Sequence, residues 1–67
     1  MNKMKDMTAA IKTHIAKISA EAREDFSANR IDEVMTDALY RDCGADTKDE
    51  MAEALALAIS ICAEEAK

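Results

Sequence analysis

The sequence predicts an all-α fold, on three observations. Proline is absent and Gly44 is the only glycine, so very little interrupts a helix from within. Alanine, glutamate, lysine, leucine and methionine are abundant, and these residues lose little side-chain freedom in a helix. Strand-favouring residues are scarce: one Val, one Tyr, one Phe and no Trp.

A chain of 67 residues is enough for one helical domain, residues 1–67, and no more. A domain of this size buries only about 60% of the surface its unfolded chain exposes. One core of this length rarely contributes more than roughly 3–5 kcal/mol, so a disulfide, a metal or a second subunit often adds support.

The first element follows from helical phase at 100° per residue. Met4, Met7, Ile11, Ile15, Ile18 and Ala22 fall in one narrow sector and predict a helix over about residues 3–26. The second apolar set, Ile31, Val34, Met35, Ala38 and Leu39, predicts a helix over about residues 29–43. The two stripes lie on opposite sides if one straight helix is drawn through both. A reversal near Phe26–Asn29 is therefore expected, with Ser27 or Asn29 supplying the capping oxygen. The second helix should end at Gly44, because glycine enters the left-handed conformation without steric cost.

The third element has the clearest start. Thr47 and Glu50 are spaced as a capping box, and Asp49, Glu50 and Glu53 suit the positive end of a helix over about residues 48–65. Met51, Leu55, Ala58, Ile59 and Cys62 make one apolar stripe on it, and Ala54, Leu57 and Ile61 make a second beside the first. Such a helix normally needs neighbours on more than one side.

Together these elements predict a three-helix, up-down-up bundle. The first helix would be about 36 Å long and the second about 21 Å, at 1.5 Å per residue. Short connections make neighbours antiparallel, so the first turns of helix one would project without cover. Self-association is then expected, as a two-fold homodimer whose interface is built from Met4, Met7, Ile11, Leu57 and Ile61. The five methionines, among them Met1, Met4 and Met7, suit an adaptable contact surface as well as they suit a core.

Residues that could carry chemistry are few. His14, the only histidine, lies at the edge of the first stripe, partly exposed, with no nucleophile or orienting carboxylate nearby in sequence. Cys43 and Cys62 share no metal-ligand spacing with it or with each other. Asp42, Asp46 and Glu53 occupy the first, fifth and twelfth places of a calcium-loop template, but Gly44 and Thr47 break its third and sixth. The expectation is a protein that is not an enzyme, with no cofactor and no metal.

Charge is uneven. The first 20 residues hold Lys3, Lys5, Lys12 and Lys17 against Asp6 alone, while the other 47 hold 13 acids against five Lys or Arg. Lysines beside an apolar stripe usually form its solvated border, so neither nucleic acid nor a membrane is expected as a partner there. Met51 to Ala63 is apolar but too short to span a bilayer. Isolated cysteines and the charges within the first 17 residues point to a cytoplasmic protein with reduced thiols.

The functional expectation is a small protein-interaction module, an adaptor or inhibitor of a larger host protein. A rival reading takes Asp25, Asp32, Glu33, Asp37, Asp42, Asp46, Asp49, Glu50 and Glu53 as an imitation of nucleic-acid phosphates. That would make the chain an inhibitor of a nucleic-acid-binding enzyme, in the manner of phage anti-restriction or anti-CRISPR proteins. A third reading is a DNA-binding accessory protein using the basic first helix.

Overall fold

The computed structural model describes residues 3–65, with side chains from Asp6 onward. Among the described residues there are four helices: α1 (Lys3–Lys17), α2 (Ala20–Ser27), α3 (Glu33–Cys43) and α4 (Lys48–Glu65). The all-α class holds, and the three-helix count does not. The expected helix over residues 3–26 is broken at Ile18–Ser19, where no glycine or proline marks the place.

The break has a local chemistry. The Ser19 hydroxyl caps α2 by accepting the Ala22 amide at 3.1 Å. The guanidinium of Arg23 turns back and donates to the Ile15 and Ile18 carbonyls at 3.3 and 2.8 Å, satisfying the end of α1. Tertiary packing supplies the reason for the turn. α1 lies against α3 and α4, whereas α2 lies against α4, so the chain must change direction between them. A straight helix of 24 residues would be about 36 Å long. The whole Cα trace is only 31 Å in its longest dimension.

The second reversal is close to where the apolar phase put it, but its chemistry differs. Asp32 caps α3, its carboxylate accepting the Met35 amide at 2.9 Å, in place of Ser27 or Asn29. Asn29 instead ends α2 in the left-handed region at φ 59°, a conformation asparagine tolerates better than most residues. Ser27 bonds back to the Glu24 carbonyl. Phe26, placed by phase at the reversal, is the large buried side chain of α2.

The end of α3 and the start of α4 follow the sequence expectation. Gly44 is left-handed at φ 74°, and the amides of Gly44 and Ala45 both donate to the Tyr40 carbonyl. At Thr47 the capping box closes: the Glu50 amide reaches the Thr47 hydroxyl, and the Thr47 amide reaches the Glu50 carboxylate, each at 3.1 Å.

α4 is the helix against which the other three pack. Ala54, Ala58 and Cys62 run down the centre of its buried face, small enough for neighbouring helices to approach closely. Met51, Leu55 and Ile59 flank that line on one side, and Leu57 and Ile61 on the other. The covered arc is roughly 200° at 100° per residue. Two neighbours could not cover it. Splitting the long first helix in two provides a third.

Met7, Ile11, Ile15, Phe26 and Leu39 fill the space facing that line. Fully burying a side chain of this kind contributes about 1.5–3 kcal/mol. Every described helix supplies at least one buried residue to a single cluster.

Candidate functional site

The expected interface is the first feature to place. Met7 is 2% exposed and Ile11 is 0% exposed, so both belong to the interior of the single chain. The expectation that they project uncovered is therefore corrected. The cause is the break at Ser19, which shortens α1 to a length that α3 and α4 cover. The Met4 side chain lies outside the described residues. Leu57 and Ile61 are half-buried and pack against the core from its margin. Of the four described side chains, Met7 and Ile11 lie inside the core and Leu57 and Ile61 pack against its margin.

His14 is also corrected. It is 6% exposed, not partly exposed, because α3 covers its edge of the α1 stripe. Its Nδ1 lies 2.6 Å from Oδ2 of Asp42 in the last turn of α3. An ionised carboxylate can only accept, so the imidazole Nδ1 carries the hydrogen and donates it. Lys17, one turn further along α1, places Nζ 3.9 Å from the same oxygen. The hydrogen bond from His14 holds the Asp42 carboxyl below its usual range, and the nearby charges of Lys17, His14 and Arg41 act in the same direction.

Sequence reasoning missed this pair because its members stand 28 residues apart. One signal was available. An acid in the last turn of a helix faces the negative end of the dipole and is unfavourable there without a cation. Asp42 is such an acid, and His14 and Lys17 are what it answers to.

The pair links two helices but presents little else for chemistry. Among the described residues, no three His, Cys, Asp or Glu side chains converge as metal ligands, and no cavity opens. One carboxylate of the calcium-loop pattern is engaged in another way: Asp42 faces His14. Cys62 is buried, and that burial, with Glu65 nearby, pushes its thiol up against the opposing charge of Arg23. A buried thiol of raised pKa is a poor nucleophile. Cys43 is half-buried and free.

The outward surface is more distinctive. Val34 is 77% exposed, the one large hydrophobic residue so placed among the described residues. Glu33 and Asp37 are exposed on the same helix, and Asp46, Asp49 and Glu53 are exposed along the α3–α4 connection and the first turns of α4. Several basic groups are directed elsewhere. Arg23 serves the end of α1, Arg30 pairs with Asp25 at 3.2 Å, and Lys17 approaches Asp42. The acids at Glu33 and Asp37, and at Asp49 and Glu53, stand one turn apart. Like charges at that spacing cost an isolated helix about 0.2–0.5 kcal/mol per pair.

No helix among the described residues is long and apolar enough to cross a membrane. Among the described residues the fold is a four-helix, all-α arrangement. No protein family, curated protein or solved structure matches the chain.

Proposed function

We propose that this protein is a small non-catalytic interaction module, an adaptor or inhibitor that docks on a larger protein through the outward face of α3 and the start of α4. One observation carries the reading: Val34 stands out from the fold at 77% exposure between Glu33 and Asp37. An exposed apolar side chain with acids on the same helix suits an apolar depression that has basic groups beside it. Complementary charge raises the association rate and excludes wrong partners, while the apolar contact resists dissociation.

Triple reversal by Glu33→Lys, Asp37→Lys and Asp49→Lys tests this reading. With a partner captured from the native host, binding should be lost while helicity is retained. Wild-type binding should weaken steeply with salt, since exposed charges are screened beyond about 8 Å at physiological ionic strength. Binding that ignores both salt and the reversal would sink the proposal.

The nucleic-acid-mimic reading uses the same acids and assigns the partner a nucleic-acid-binding groove. Competition separates the two. A mimic displaces nucleic acid from its partner, and an adaptor leaves that binding intact.

Self-association is a second reading. It rests on Leu57 and Ile61, which remain half-buried at the core margin. A two-fold dimer across them should dissociate on Leu57→Glu with Ile61→Glu, as read by light scattering. A wild-type chain that stays monomeric at every concentration would exclude it.

A further inference from the structure

At the hinge between α1 and α2, one of the opened backbone pairs has a side-chain substitute on each half. In a continuous helix the Ala22 amide would donate to the Ile18 carbonyl, four residues back. Here the Ala22 amide donates to the Ser19 hydroxyl at 3.1 Å, and the Ile18 carbonyl accepts from Arg23 at 2.8 Å. Ser19 and Arg23 thus hold open a bond that the backbone could make by itself.

Apart from the packing of α1 and α2 on their neighbours, the local backbone and sequence permit closure. The φ of Ser19 is −68°, already helical, and only its ψ of 161° departs from the helix. No glycine or proline lies between Lys3 and Ser27. Met7, Ile11, Ile15, Ile18, Ala22 and Phe26 keep helical spacing straight through the hinge, so a fused helix would still carry one continuous apolar face.

We infer that α1 and α2 fuse into one helix in a domain-swapped dimer, in which α1 leaves its own α3–α4 groove and fills that of a second copy. The occupant follows from identity: a second copy presents the same α3–α4 surface that α1 already covers in its own chain. The swap returns Met7, Ile11 and Ile15 to the same buried environment, and His14 meets the second copy's α3 carboxylate in place of its own. Both grooves are filled by the same exchange, so the assembly closes with two-fold symmetry. This inference is independent of the acidic docking face.

The test uses variants that select one state. Ala20 is exposed at the first position of α2. Proline is tolerated there, holds the preceding residue in the extended region that Ser19 already occupies, and cannot be accommodated inside a fused helix. Ser19→Ala with Arg23→Gln removes both substitutes and favours fusion.

After refolding at high protein concentration, light scattering should show a larger dimer fraction for the Ser19→Ala/Arg23→Gln chain than for wild type. Helicity should be equal or greater. Adding Ala20→Pro to that chain should return it to monomer. Wild type against Ala20→Pro alone gives a second comparison if the double variant fails to fold: dimer should form slowly in the first and not in the second. The inference is overturned by a folded double variant that stays monomeric. It is equally overturned if Ala20→Pro changes nothing in either background, or if the dimer dissolves with Leu57→Glu/Ile61→Glu and not with Ala20→Pro.

Discussion

His14 Nδ1 and Asp42 Oδ2 meet at 2.6 Å and join the last turn of α1 to the last turn of α3. The imidazole is buried while the carboxylate keeps 41% of its side-chain surface exposed, so the bond has one dry end and one wet end. It is the sidechain-to-sidechain hydrogen bond of greatest sequence separation described, and it fixes how α1 sits in its groove.

The pair makes stability depend on pH in a stated direction. Asp42 has a folded pKa below its ordinary 3.8, so its contribution is fully present above that value. It is lost as pH falls through the lower, folded value. Wild type should therefore exceed Asp42→Asn in urea midpoint at neutral pH, and the gap should close in strong acid. A gap of constant size across the acid range would contradict the assignment.

Phe26 is the largest fully buried side chain and the main apolar residue of α2. Phe26→Ala should cost about 3–5 kcal/mol, as large-to-small changes in a core do. That is comparable to everything a core of this size usually contributes. Far-ultraviolet circular dichroism should show a chain largely unfolded at 25 °C. Retention of a cooperative melt near that of wild type would mean that α2 is not bound to α4 as described.

Gly44 is held at φ 74°, and a Cβ built there meets nothing within 4 Å. The cost of Gly44→Ala is therefore backbone strain alone, about 1–2 kcal/mol. Denaturant unfolding should show that loss with an unchanged m-value. Thr47→Ala, which opens the capping box at α4, should cost about 0.5–2 kcal/mol by the same measurement.

The two thiols should react in a fixed order. Cys43 is half-buried, whereas Cys62 is buried with its thiol pushed up. A thiol-reactive dye should label Cys43 in the native state, and Cys62 only at the rate of unfolding or in denaturant. Equal labelling rates without denaturant would refute the burial of Cys62.

Much of this was legible in the sequence wherever the determining groups are neighbours along the chain. The Thr47–Glu50 box and the left-handed Gly44 are such features, because every partner lies within a few residues. The α1 stripe was also legible in part: Met7, Ile11 and Ile15 are buried on one face, as their spacing requires. The same spacing hid the hinge. The stripe runs through Ser19 without a phase change, so nothing in the pattern marks a stop. The apolar surface of α4 exceeds what two neighbours cover, and within the chain α2 packs against it as a third.

The helical class, the reversal before α3 and both ends of the α3–α4 connection follow from residue order alone. Hydrogen bonds and backbone preferences acting over three to five residues are enough for these. That α1 and α2 part at Ser19, that Met7 and Ile11 lie inside, and that His14 faces Asp42 are consequences of packing in three dimensions. Each of those depends on which surfaces meet in space. At Ser19 local helix propensity and tertiary packing oppose one another, and the gain from packing α2 on α4 exceeds the loss of one turn of continuous helix.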